Sequence, residues 1–456
     1  MRVRVRRGLW LLATLAACAG VFAFVAGATF PPSAVSPPLV RPPSCEGAIR
    51  ELRPGWAIRA ICRFPDPVNA LALPPRDGRI PHDNVYVGTI NAGGVFRFNV
   101  LGDGIFTTIH QGTGDVKQFG DSRVSRLAFR DLDGDGTTEL IASTSQVTPR
   151  GRPRLYVWSF EGPTPILRGL ARPEIRSSWS HGLGFLPRGD GEGESVFATF
   201  CGCGEIVEYQ LKRGGEESGF CRDGLAWKQV GQLPASGEWT ETADIDNDGR
   251  DDLCFAVGYG ERAAAIHAYQ SDAPGAALRL GHAIDEGGRF GNVRFVVANG
   301  RGDGKNDVIA WWSTDHLYGG DCEIIRYRLD TGGVTERTVI ARGEAGTLWP
   351  DDGQIAVLDS DGDFRPEVWF GVKSGNLWRY DPAGTAPPER ILKIEPPLGP
   401  IVGGITDGTG RPTLFLGWGR DVLRLDRVAS EGGSPILEPP PGKSLSAAAN
   451  RGIHPD

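Results

Sequence analysis

The chain has 456 residues, among them 65 Gly and 34 Pro, and a formal net charge of −7. That length accommodates two or three ordinary domains or one large, turn-rich all-β domain, and it suffices for a sizeable core. The first thirty residues carry four Arg and no acid, so the remainder sets 45 basic against 56 acidic side chains, which argues against nucleic acid or an anionic membrane surface as a partner of the folded part.

The chain begins with a basic stretch, MRVRVRRG, and an uncharged apolar run over residues 9–30 that is long enough to span a bilayer. Three readings of residues 1–28 stand side by side. Ala26 and Ala28 suit signal-peptide cleavage after Ala28; LAAC ending at Cys18 resembles a lipobox, although the sequence stays apolar beyond it; or the segment is retained as a membrane anchor. RRGLW is loosely similar to a twin-arginine signal. Each reading exports the rest to the periplasm, a membrane surface or the exterior. Residues 29–54, which include PPSAVSPPLVRPPS, read as a proline-rich spacer without a strand pattern.

From residue 55 the sequence repeats. Seven apolar, β-branched or aromatic runs align on Val85, Leu140, Val196, Leu253, Val308, Val368 and Leu414, spaced 55, 56, 57, 55, 60 and 46 residues apart. Each is followed after a short polar or Gly-containing gap by a second strand signal, as in GVFRFNV, RLYVWSF and NLWRYDP, and several are preceded by another, as in VSRLAFRD and GQIAVLDS. A four-stranded unit repeated seven times cannot bury both faces alone, so radial closure into an all-β, seven-bladed β-propeller over residues 55–428 is expected. The last copy lacks an outer strand, and residues 55–64, GWAIRAICRF, are expected to supply it. Residues 429–456 show no strand pattern and read as a disordered tail.

Three loops ahead of these runs are dense in acids. DLDGDGTTE places Asp131, Asp133, Asp135 and Glu139 in nine residues; the others are Asp244, Asp246, Asp248 and Asp252, and Asp359, Asp361, Asp363 and Glu367. Alternating oxygens at positions one, three and five, with another acid further on, make a hard-oxygen cage suited to Ca²⁺. An EF-hand requires Glu at position twelve, and here Ala142, Phe255 and Phe370 stand there. Their shared feature is instead an acid at position nine that starts a strand.

With the spacing, this loop resembles the FG-GAP, or VCBS, family of calcium-loop β-propellers, which includes the integrin α-subunit head. The resemblance covers about residues 55–428 and implies the fold and calcium as the cofactor, held by the twelve acids just named. It implies no reaction, since such propellers host adhesins, lectin-like modules and polysaccharide lyases. In the third loop Phe364 replaces the glycine found at Gly136 and Gly249; a left-handed backbone there would cost about 1–2 kcal/mol and weaken the site. In NGRGDGKND the cage has decayed, keeping Asn299, Asp303 and Asp307 but placing Arg301 at position three. The two RGD tripeptides, starting at Arg188 and Arg301, fall in degraded loops of this kind and read as turns.

The loops of the opposite face are expected to carry Trp179, His181, Glu238, Trp239, Glu241, Arg294, Trp349, Asp352, Tyr259 and His316. Aromatic planes beside acids and Arg suit a carbohydrate ligand, with a protein ligand as the second choice, while Trp packed between blades is the competing explanation. The expected role is an exported ligand-binding, adhesion or scaffold module. The alternative is a polysaccharide lyase or hydrolase using His181, His316, Glu238, Glu241 or Asp352, with its catalytic set open. Beyond Cys18, seven cysteines leave at least one unpaired: Cys254 reads as a buried strand residue, Cys45 with Cys62 as a candidate pair, and Cys201, Cys203 and Cys221 as a disulfide or soft-metal group.

Overall fold

Every one of the seven aligned runs becomes the second strand of a four-stranded antiparallel blade. The computed structural model describes residues 44–75, 80–90, 93–102, 104–111, 123–145, 153–162, 164–173, 175, 180–200, 203–211, 224–258, 263–271, 273–314, 320–350, 353–406 and 411–428. Two strands precede the blades, β1 (Ile49–Leu52) and β2 (Trp56–Arg63). Blade one is β3 (Val68–Ala72), β4 (Asn84–Thr89), β5 (Val95–Asn99) and β6 (Phe106–His110), and blade two is β7 (Arg123–Arg130), β8 (Glu139–Ser145), β9 (Arg154–Glu161) and β10 (Thr164–Ala171). Blade three comprises β11 (Ser180–Pro187), β12 (Glu194–Phe200), β13 (Glu205–Leu211) and β14 (Leu225–Gln232). Blade four comprises β15 (Gly237–Ala243), β16 (Asp252–Val257), β17 (Ala265–Gln270) and β18 (Arg279–Asp285). Blade five follows with β19 (Asn292–Ala298), β20 (Asp307–Ser313), β21 (Asp321–Asp330) and β22 (Gly333–Glu344). A short helix, α1 (Ala345–Leu348), leads to blade six, β23 (Ile355–Leu358), β24 (Glu367–Val372), β25 (Asn376–Tyr380) and β26 (Glu389–Ile394). Blade seven has β27 (Leu398–Ile405), β28 (Pro412–Trp418) and β29 (Asp421–Arg427).

The fourth strand of blade seven is β2, paired from Trp56↔Arg427 to Arg63↔Asp421. Closure by residues 55–64 is therefore as the sequence implies. The first strands β3, β7, β11, β15, β19, β23 and β27 touch in succession, and β27 returns to β3, so they ring the axis. Each blade packs face to face on its neighbours, which buries both sides of the second strands: β4, β8, β16, β20 and β24 are buried at every residue. Outer strands such as β18 are largely exposed. The core consequently consists of seven hydrophobic clusters, one between each pair of adjacent blades, such as Trp312 and Tyr327 with Ile266 between blades four and five. At about 25 cal/mol per Å² of apolar surface removed from water, these interfaces are what makes a lone blade unstable and the ring stable.

The spacer read as strandless, residues 29–54, contains β1, which pairs with β26 as a fifth strand on blade six. Its four residues, two of them charged, are too few to show a pattern. Cys45 and Cys62 are both free and buried, contrary to the pairing suggested from sequence. They serve different interfaces: Cys45 packs between blades six and seven, Cys62 between blades seven and one, where its thiol donates to the Gly104 carbonyl at 3.2 Å. Cys254 is fully buried on β16, while Cys201 and Cys221 lie outside the described residues. No described helix is long and apolar enough to cross a membrane, and residues 1–43 and 429–456 are outside the description.

Candidate metal centres

The acidic loops join first to second strands in blades two, four and six. Antiparallel meandering puts all first-to-second connections at one end of the ring. In blade two, the Asp131 carboxylate accepts the N–H groups of Asp135 (3.2 Å) and Gly136 (3.0 Å), Asp133 accepts Asp135 N–H (3.3 Å), and Glu139 Oε2 accepts Leu132 N–H (2.8 Å). Blade four repeats this with Asp244 on Asp248 and Gly249 (3.0 Å each), Asp246 on Asp248 (3.2 Å) and Asp252 Oδ2 on Ile245 (3.2 Å). Blade six differs by one donor: Asp359 accepts from Gly362 (2.7 Å) and Phe364 (2.9 Å), and Glu367 Oε2 from Ser360 (2.7 Å). These short-range bonds fold each loop so that its acids face one point. Asp131, Asp133 and Glu139, then Asp244, Asp246 and Asp248, then Asp359, Asp361 and Asp363 each present oxygens within 4.8 Å of one another, so three clusters could hold a metal ion.

Two loop positions turn left-handed. Position six is Gly136 (φ 79°), Gly249 (φ 89°) or Phe364 (φ 64°), so the strain expected at Phe364 is present. Position four, which sequence reading passed over, is Gly134 (φ 68°), Asn247 (φ 60°) or Gly362 (φ 80°). Asn tolerates this backbone better than other residues with a Cβ. Asn247 is also pinned to blade five, donating to the Leu329 carbonyl (3.0 Å) and accepting Asn306 N–H (2.6 Å).

The electrostatics follow from crowding. Burial, then the charges of Asp133, Asp131 and Asp135, pushes Glu139 up to about 8 despite the Leu132 N–H. Burial and then Asp246 raise Asp252 to about 7, and burial raises Glu367 to about 7 against the pull of Arg379. Among the described residues no Lys, Arg or His reaches Glu139 or Asp252 within ion-pair distance. Blades two and four therefore hold buried acids that need protons or an added cation to be neutral, and their oxygen-only donor set fits a hard divalent ion. Nearby polar groups assist without filling the centre: Gln270 (2.8 Å) and His282 (2.9 Å) hold Asp246 Oδ2, and Arg168 stands 3.9 Å from Asp133.

The blade-five loop is neutralised from within. Arg301 Nε lies 2.8 Å from Asp307 Oδ2, Arg328 Nε lies 2.8 Å from Asp307 Oδ1, and Asp307 is fully buried. The second RGD tripeptide is thus spent on the fold, as is the first, where Arg188 donates to the Leu211 carbonyl at 3.0 Å and pairs with Asp190.

At the other end, residues assigned to loops turn out to sit on first strands: Glu238, Trp239 and Glu241 on β15 and Arg294 on β19. Connectors between blades are short, so these side chains fall between blades around the axis. The set does converge. Arg294 lies 5.6 Å over Trp349 and 6.0 Å over Trp239, with Glu238 at 3.6 Å, and Trp239 Nε1 donates to Glu241 at 2.9 Å. Arg126 of β7, unnoticed in the sequence, stacks 4.3 Å over Trp239. Trp239 and Trp349 are buried, 5% and 4% exposed, with Arg guanidinium groups over their rings. Burial raises Glu241 to about 7, opposed by the Trp239 N–H and by Arg126 and Arg130. His181 falls on β11, while Trp179, Tyr259, His316 and Asp352 lie outside the described residues.

Comparison with protein-family models gives no match, and comparison with curated proteins gives none either.

Proposed function

We propose that this chain is an exported, calcium-stabilised propeller of the FG-GAP/VCBS type that acts as a non-catalytic ligand-binding, adhesion or scaffold module, with surface carbohydrate as its ligand ahead of protein. The observation that carries this reading is the pair of loops in blades two and four, each with three acids facing one point and, among the described residues, no Lys, Arg or His within ion-pair distance of Glu139 or Asp252. Calcium suits them because it accepts many oxygen ligands in flexible geometry and the loops offer only oxygen. A bound ion would neutralise charge that otherwise opposes folding, so it would stabilise the ring rather than perform chemistry. The apolar segment at residues 9–30 supports export or membrane attachment.

The ligand end is the one opposite the calcium loops, where the half-buried Arg126 covers the buried ring of Trp239 and the packed indoles serve as its support. A polysaccharide-cleaving enzyme is the second reading, favoured by Glu241, whose carboxyl keeps a proton near neutral pH as a general acid must. One experiment separates them: the purified chain is applied to immobilised glycans and soluble polysaccharides with calcium present. Retention without new reducing or unsaturated ends supports the binding module. Product formation lost in Glu241→Gln supports the enzyme, and the absence of both retention and products overturns the carbohydrate assignment.

A further inference from the structure

The three acidic loops share their backbone bonds but differ in what else reaches the acids. In blade six, Arg379 of β25 extends across the loop and places Nη2 3.1 Å from Asp361 Oδ2 and 2.6 Å from Glu367 Oε1. These are positions three and nine, the two acids that a cation would have to draw together. Arg365 sits 2.5 Å from Asp363, a contact that Arg250 and Asp248 repeat at 2.7 Å in blade four, and Arg427 stands 3.9 Å from Asp361, so the bridge made by Arg379 is what blade four lacks. In blade two the acid at position nine joins the converging group, whereas Asp252 in blade four and Glu367 in blade six do not; what sets blade six apart is that an arginine reaches its position-nine acid. Arg379 is held rather than free to swing, with only 19% of its side chain exposed.

We infer that Arg379 occupies the cation's place in the blade-six loop, so that this loop, unlike those of blades two and four, binds no divalent ion in the wild-type chain. Blade five supplies the physical precedent within the same molecule. There Arg301 bridges position three to Asp307 at position nine, at 2.8 Å, and the loop folds with the same pair of left-handed turns, Gly302 (φ 70°) and Gly304 (φ 79°). A guanidinium is therefore an adequate substitute for the ion in this loop. Blade six reaches the same end from the third strand instead of from the loop itself. A cation entering blade six would have to displace a guanidinium whose Nη2 already bridges two carboxylates, which costs more than entering blades two and four.

The inference rests on the calcium reading above, and the experiment keeps the two separable. Bound Ca²⁺ is counted by equilibrium dialysis of the full chain after chelator treatment, with folding checked by circular dichroism. Two ions are expected for wild type and three for Arg379→Gln, while Asp363→Ala should leave two and Asp246→Ala one. Three ions on wild type, falling to two in Asp363→Ala, would overturn the inference and leave the calcium reading intact. A folded Arg379→Gln that still binds two also overturns it. No ion on wild type overturns both. Asp363→Ala, made on the Arg379 background, decides the matter even where Arg379→Gln fails to fold.

Discussion

Blades four and five carry the same loop between the same pair of strands, and they meet its charge problem in opposite ways. Blade four gathers Asp244, Asp246 and Asp248 around one point, with the carboxyl of the buried Asp252 behind them raised to about 7. Blade five puts Arg301 where blade four has Asp246, and closes on a fully buried Asp307 held by two guanidinium groups. Blade five meets the charge with tethered arginines, while blade four leaves it to protons or an added cation. A tethered arginine cannot be lost by dilution, whereas the stabilisation an ion supplies grows only as the logarithm of its concentration over its dissociation constant.

The strongest way to break this comparison is Arg301→Ala. It strands Asp307 with Arg328 alone and should cost about 2–4 kcal/mol in urea unfolding, equally with calcium or chelator, because removing one partner of a buried pair leaves an uncompensated charge. A calcium-dependent loss would mean that an ion already shares blade five. Next in size is Asp246→Ala. In calcium at a hundredfold excess over the dissociation constant it should forfeit up to about 2.7 kcal/mol of ion-linked stability on top of a smaller, calcium-independent loss from the freed Gln270 and His282. Thermal melts in both conditions test this, and equal losses would make Asp246 a purely structural residue.

A third test uses pH. Asp252 has a raised value in the ion-free fold, so the folded state holds its proton more tightly than the unfolded chain. Its contribution is full below the ordinary carboxylate range near pH 4 and is lost as pH rises through about 7. Chelated protein should therefore lose on the order of 1–2 kcal/mol between pH 5 and 8. Asp252→Asn and excess calcium should each make that slope shallower, leaving the share of Glu241 and Glu367, as judged by melts across the range. A slope unchanged by Asp252→Asn would assign it to another group. The smallest effect is Phe364→Gly: relief of the left-handed strain at a 47% exposed side chain, less the added chain entropy, should stabilise by about 0.5–1 kcal/mol in urea titration. Destabilisation would show that the ring packs productively despite its exposure.

Most of the ring was legible in the sequence because its signals are local. The seven second strands announce themselves by apolar runs such as EVWFGV, and the acidic turns by carboxylates two residues apart, since both depend on neighbours along the chain. Even the closing strand at Trp56–Arg63 could be found, because a missing outer strand in the last repeat leaves one place for it. Ile49–Leu52 escaped because four residues cannot show a period, and its pairing partner Ile394 is more than three hundred positions away.

The charge balance of each loop was not legible, and the reason is geometric. Arg379 follows the blade-six loop by a full strand and a hairpin, and it meets Glu367 only because the hairpin between β24 and β25 folds it back beside the loop. Likewise Trp239 and Trp349, equally compatible with an open binding face or a packed interface as letters in a sequence, became buried ring planes under Arg126 and Arg294 once the blades closed around the axis. Sequence by itself determined the repeat, the strand pattern and the positions of the acids, each set by contacts a few residues long. Tertiary structure alone decided which position-nine acids meet an arginine and which acids face one another around a common point, because that depends on side chains brought together from separate strands and separate blades.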